Sequence, residues 1–224
     1  MPGFRTRVED LPDEFPVFPL TGALLLPRGR LPLNIFEPRY LAMTEDALAA
    51  GRMFAMIQPD SSRAALTTGP ALFRVGCLGR LSSFSETDDG RYLITLLGLI
   101  RFAVAGELPM CRGYRRVRGD FSDYITDLDP PAEPPRIGVT REAVLTALRS
   151  YFAHSGIDAN WDAIGRMPDD TLVTTLSMVC PFEPAEKQAL LEAATDADRG
   201  TILLALLRMG AADKGPQGSG RALS

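Results

Sequence analysis

The sequence has few of the residues on which most enzymes depend. Among 224 residues there is one histidine, His154, and only two lysines, Lys187 and Lys214. A single histidine with no cysteine pair beside it cannot build a zinc cluster. His154 stands near the end of a predicted helix, where an imidazolium complements the dipole. Cys77, Cys111 and Cys180 are far apart, odd in number and without C-x-x-C spacing. They read as buried thiols in a reducing compartment. There is no G-x-S-x-G elbow, no G-x-x-x-x-G-K-[ST] loop and no G-x-G-x-x-G turn, so elbow-type hydrolases, P-loop NTPases and dinucleotide-binding folds are all disfavoured. A Ser–Lys dyad would need Lys187 or Lys214; Lys187 follows Glu183 by four residues at a predicted helix start and reads as a surface partner. Glu86, Asp88 and Gly90 resemble a piece of a calcium loop, but the twelfth position is Leu97 instead of glutamate. The expectation is a chain with no catalytic residue, cofactor or metal.

Long apolar runs are also missing. None approaches the roughly 20 residues that span a bilayer, and the opening "MPGFRTRVED" has no apolar signal core. A cytoplasmic protein with no membrane contact follows. Charge is mildly acidic, at -4 net, which does not favour a broad nucleic-acid footprint. The Arg-rich stretch "CRGYRRVRGD", residues 111–120, is the exception and reads as a solvated strand or loop. No nucleic-acid partner is expected.

What is present is apolar bulk with turns. Hydrophobic residues make up 46% of the chain, enough for a buried core without a staple at this length. Up to about residue 125 the pattern is one of short strands: "FPVFPL" at 15–20, "ALLLP" at 23–27, "LPLNIF" at 31–36, then four further segments to Ile125. Asp89-Gly90 is a two-residue hairpin signal, and alternation of Arg101 and Ala103 with Phe102 and Val104 suggests a half-exposed strand. One helix interrupts them, with Pro38 at its first position, Leu41, Thr44, Ala47 and Leu48 on one face widened by Tyr40 and Met43, and Gly51 as its stop. "DLDPPAEPPRIG", 127–138, is the expected linker. Beyond it the period is helical: Thr140 caps a helix with a Val144, Leu145, Leu148, Tyr151, Phe152 stripe, Asp169 or Asp170 caps a second, Pro184 opens a third, and a fourth runs near 196–209. The fold class is α+β: a β-rich domain at 14–126, a helical bundle at 139–210 and a disordered tail at 211–224.

The remaining functional candidate is surface. Leu31, Leu33, Ile35, Phe36, Arg39 and Tyr40 could line a rigid apolar groove that binds peptide, while Glu37 and Pro38 form a strand-to-helix corner in which the carboxylate meets free backbone N–H groups. Residues 15–48 resemble the opening of the N-terminal domain of the ATP-dependent protease Lon. The likeness rests on Leu31, Pro32, Leu33, Ile35, Phe36, Glu37, Pro38, Arg39 and Tyr40, with Arg28 standing between Pro27 and Gly29 where the family often has proline followed directly by glycine. "GCLGRL" at 76–81, Gly98 to Phe102 and "PFEPAEKQALLEA" at 181–193 are similar to later family segments. The resemblance implies a PUA-like β pseudo-barrel with a packed helix, followed by an α-helical bundle. It also implies a substrate-recognition module without the ATPase and peptidase that follow it in the full protease. Its partners would be unfolded or apolar protein segments, with a protease or chaperone beside them. The competing expectation is a small-ligand site or enzyme in a cleft between barrel and bundle, using His154 or a cysteine.

Overall fold

The computed structural model describes residues 6–130 and 137–212. Six strands form one sheet in the order β2-β5-β4-β3-β1-β6: β1 (Glu14–Pro19), β2 (Arg30–Ile35), β3 (Met53–Ile57), β4 (Val75–Glu86), β5 (Tyr92–Cys111) and β6 (Tyr114–Asp120). The sheet closes because β5 is 20 residues long. Its first part pairs with β2 on one side and β4 on the other, and from Ala103 onward it pairs with β6. Five strands thus make a pseudo-barrel, and β2 lies outside it on the β4–β5 hairpin. Register shifts at Leu78/Gly79, Leu81/Ser83, Val104/Gly106 and Leu108/Cys111 bend the long strands, as bulges do at barrel corners. The one parallel pair, β1 with β3, is connected through α1 (Pro38–Ala49).

The barrel interior is filled by alternate residues of each strand. Phe15, Val17, Ala55, Ile57, Leu78, Ile100, Phe102 and Val117 are buried together, and the Phe15 and Phe102 rings meet edge-to-face at 4.8 Å. Gly98 lets the loop before β2 approach: a Cβ there would run into the carbonyl of Leu26. That loop holds "ALLLP", expected as a strand; Leu24, Leu25 and Leu26 are buried but unladdered. Arg28, at φ 66°, takes the left-handed turn position that glycine would fill without strain.

The chain divides into two units, residues 1–131 with 177–192, and residues 132–176 with 193–224. One division falls at 131/132, inside the proline-rich stretch, but residues 177–192 return to the first unit, which composition does not announce. α5 (Pro184–Glu192) clusters with the strands because Gln58, Gln188 and Lys187 are hydrogen-bonded there. Gln58 Nε2 donates to the Pro184 carbonyl at 3.0 Å, Gln188 Nε2 to that of Val75 at 3.1 Å, and Lys187 Nζ to that of Gly22 at 2.7 Å. Lys187 is therefore buried, not the surface residue its spacing from Glu183 suggests. Asp127, placed by sequence in the linker, ends a 3-10 segment, Ser122–Leu128, and pairs with Arg101. Residues 131–136 of the expected linker lie outside the described residues.

The second unit contains α2 (Arg141–Ser155), α3 (Trp161–Arg166), most of α4 (Asp169–Val179) and α6 (Asp196–Ala212). Thr140 caps α2 by accepting from the Ala143 N–H at 3.2 Å, and Val144, Leu148, Tyr151 and Phe152 are buried as the helical period requires. Arg141 fixes the α3–α4 turn through the Met167 and Gly165 carbonyls and the Asp169 carboxylate. The helix expected to end near 209 continues to Ala212; the remainder of the expected tail, 213–224, lies outside the described residues. No described helix is long and apolar enough to cross a membrane.

Candidate functional site

β2 sets the geometry of the expected binding surface. Side chains alternate along a strand, and the register pairs Leu31 with Leu96, Pro32 with Thr95, Leu33 with Ile94 and Asn34 with Leu93. Leu31, Leu33 and Ile35 therefore share the side of buried Ile94 and Leu96, and Pro32 and Asn34 share the side of Leu93, Thr95, Ser83 and Ser85. Leu31 and Leu33 are half-buried and Ile35 is buried. Burial removes Ile35 from the exposed surface, while Leu31 and Leu33 stay partly open. What remains open is a groove of about 490 Å³ over the three strands, lined by Pro32, Leu33, Asn34, Phe84, Leu93 and Thr95 among others. Leu93 is 47% exposed, Phe84 42%, and Phe36, just past the strand, 62%. Sequence reasoning missed Phe84 and Leu93. The period-2 alternation of "YLITLL" signals Leu93, but which parity faces water depends on β2 pairing with β5; Phe84 pairs with Ile94 and lies on the other parity.

Arg39 and Tyr40 lie elsewhere, at a second cavity of about 120 Å³ between the first turn of α1, the 68–70 loop and the start of β6. Tyr40 is buried, stacked on Phe18 at 4.0 Å between ring centroids, with the Arg39 guanidinium 4.5 Å over its ring. Its burial follows from the helix period: Tyr40, Met43, Thr44 and Ala47 form the inward stripe of α1, with Leu41 and Leu48 at its margin. Glu37 occupies the N-cap position but makes no side-chain capping bond. Its carboxylate turns to Arg39, accepting from Nε at 3.0 Å and Nη2 at 2.8 Å, because the adjacent guanidinium is a better donor than the amides at the helix start. Across the cavity Arg115 is buried, with Nη2 on Glu107 at 2.7 Å and Nη1 on the Pro70 carbonyl at 2.6 Å.

The other side chains weighed for chemistry are placed as follows. His154 is exposed in the last turn of α2. Cys77 and Cys180 are buried, and Cys111, expected buried, is half-exposed beside the β5–β6 turn. Burial pushes the Cys180 thiol up to about 12, with Lys187 opposing, and burial lowers Lys187, with Cys180 opposing. Among the described residues no three metal-binding side chains cluster. The arginines of 111–120 each face a carboxylate: Arg112 Glu45 and Asp46, Arg115 Glu107, Arg116 and Arg118 Glu14. This leaves no continuous unpaired basic stripe.

Comparison with known proteins gives a consistent picture. The chain is 30% identical over 120 residues to Lon protease 2 of Sorangium cellulosum, covering 52% of this chain and 15% of that protein. It is 27% identical over 94 residues to a Lon protease of Desulfosudis oleivorans, covering 42% and 12%. The chain thus spans less than a sixth of these relatives. Among solved structures it is similar to a Lon N-terminal domain protein from Xanthomonas campestris, with a TM-score of 0.55 at 22% identity over 86% of this chain and 97% of that one. The N-terminal domain of Mycobacterium avium complex Lon protease gives the same TM-score at 16% identity, over 87% and 97%. At those identities the likeness is one of fold. The substrate-binding domain model of ATP-dependent protease La (LON) matches residues 14–209, and on that match the chain belongs to the LON substrate-binding domain family.

Proposed function

We propose that this chain is a non-catalytic capture module that binds exposed apolar segments of other proteins at the groove over β2, β5 and β4. The observation that carries the reading is an open trough lined by Pro32, Leu33, Phe84 and Leu93, of which Phe84 and Leu93 are strongly exposed. Rigid strands and Pro32 lose little entropy when an extended chain docks, which favours capture without a conformational cost. Family membership supports a protein ligand. The segments it receives are those that unfolded proteins expose, and a protease or chaperone is the partner to which they pass. Free cysteines fit a reducing cytoplasm. The alternative built on His154 loses its support, since that residue is exposed on a helix.

The test is a binding titration of fluorescent apolar peptides and of a reduced, unfolded client. Wild type is compared with Phe84→Ser/Leu93→Ser, once circular dichroism shows the same fold. Saturable binding weakened at least about tenfold in the variant is expected, the scale of losing two apolar anchors at about 1.4 kcal/mol per tenfold. Equal binding by both proteins moves the capture surface off the groove; no saturable binding by wild type overturns the reading. A crosslinking pull-down from cytoplasm then identifies the partner.

A further inference from the structure

We propose that the cavity beside Arg39 is a carboxylate site, and that the carboxylate is carried by the protein segment the chain captures. The inference rests on the capture reading and adds the chemical group that anchors the captured chain.

Donors outnumber free acceptors around this cavity. Arg115 is 6% exposed at its side chain and has both Nη atoms engaged, by Pro70 and Glu107, while its buried Nε–H has no partner among the described residues. Arg39 uses Nε and Nη2 on one oxygen of Glu37, which leaves Nη1. The Tyr40 hydroxyl has no partner among the described residues, and burial raises its pKa, with Arg39 opposing and Glu37 adding, so it stays a donor at neutral pH. Among the described residues, no carboxylate lines the cavity. Glu107 accepts from Arg115 and, at 3.2 Å, from Thr68, and Glu37 is held by Arg39. A cation or a donor ligand would find no carboxylate among the described lining residues to receive it. An oxyanion with two oxygens would meet an arginine, a phenol and the edge of a second guanidinium, the groups that form charge-assisted hydrogen bonds.

Size narrows the ligand. About 120 Å³ is room for roughly four waters at about 30 Å³ each, well below the roughly 300–1,000 Å³ of a pocket that encloses a drug-sized molecule. The cavity therefore takes a functional group whose parent molecule stays outside. At the rim Met110 is 50% exposed and offers the parent an adaptable apolar contact. A carboxylate at the end or on the side of a polypeptide meets both conditions.

The experiment uses the full chain and an apolar decapeptide in three forms: free C-terminal acid, C-terminal amide, and amide with an internal glutamate. Binding is followed by fluorescence polarisation to wild type, Arg39→Gln and Tyr40→Phe; both substitutions leave the buried Arg115 pair intact. The free acid or the glutamate form is expected to bind about tenfold tighter than the plain amide, the scale of one charge-assisted hydrogen bond. The gap should close in both variants, and the form that gains tells a chain terminus from an acidic side chain. Equal affinity for all three forms overturns the carboxylate site and leaves the capture reading standing. Should no peptide bind, the capture reading fails, and sodium acetate titrated into 15N-labelled protein decides the site alone. Saturating shifts of the Gly69 and Gly113 amides, lost in Arg39→Gln, support it, and their absence overturns it.

Discussion

Arg52 follows Gly51 at the end of α1 with φ 61°. Its amide closes the helix on the Ala47 carbonyl at 2.7 Å, and its side chain is exposed. A non-glycine residue in this left-handed region costs roughly 1–2 kcal/mol, and glycine gives back roughly 0.5–1 kcal/mol in entropy. Arg52→Gly should therefore raise stability by up to about 1 kcal/mol, read as a higher Tm. Two acids show how environment decides the worth of an ion pair. Glu37 and Arg39 are about half exposed, so Glu37→Ala should cost below about 1 kcal/mol by urea denaturation. Asp127 and Arg101 are 10% and 6% exposed, with the Arg101 Nε and Nη2 both on the carboxylate and Nη1 on the Leu191 carbonyl. Asp127→Ala should cost about 3–5 kcal/mol, because it leaves a buried guanidinium short of its counter-charge. The ranking was not legible beforehand. Asp127 sits beside a run of prolines that reads as linker, and only the partner 26 residues earlier reveals what it does.

At the scale of elements, α1 is pinned to the hairpin that joins β5 and β6. Arg112 and Gly113 form its two-residue turn with φ 44° and 84°, so the tight hairpin occurs here, whereas Asp89-Gly90 sits in a longer loop running from Thr87 to Arg91. The strained Arg112 aims its guanidinium at Asp46, 2.7 Å away, and Glu45, 2.8 Å away, and the Tyr114 hydroxyl donates to Asp46 at 2.8 Å. Burial alone would raise Asp46; hydrogen bonds from Tyr114 and Arg112 outweigh it and hold the carboxylate below its ordinary range. A depressed carboxylate pKa gives stability that is present above the unfolded value of about 3.9 and lost as pH falls through the lower folded value. Thermal melts between pH 5 and 2 should therefore show a loss that Asp46→Asn flattens. Element types were largely legible, since proline at helix starts, Thr140 as a cap and the two periods are local signals. Parity was not. Leu31 and Leu33 read either as core or as surface, and pairing of β2 with β5 left both half-buried and Leu93 outward.

At the scale of the molecule, the barrel unit is discontinuous in sequence. Residues 177–192 belong to it, and they satisfy groups deep inside: Gln58 is 1% exposed and donates to the Pro184 carbonyl, and Lys187 donates to Gly22. Each unmet buried polar group costs about 1–3 kcal/mol. A fragment ending at residue 131 should therefore give a poorly dispersed amide spectrum and bind ANS, while the whole chain does neither; a well-dispersed fragment would show that α5 is dispensable. The proline-rich stretch marks a change of composition, which is a local property. It coincides with the division at 131/132, whereas the return of 177–192 to the first unit depends on contacts more than a hundred residues apart, which composition does not carry.

That discontinuity also sets a clock. On the ribosome the barrel strands emerge first, but their last hydrogen-bond partners follow on the order of several seconds later at roughly 5–20 residues per second. During that interval Gln58 and the Gly22 and Val75 carbonyls lack their α5 partners. The barrel therefore completes its hydrogen bonding only once α5 has emerged, and slow synthesis between residues 131 and 192 prolongs the unsatisfied state.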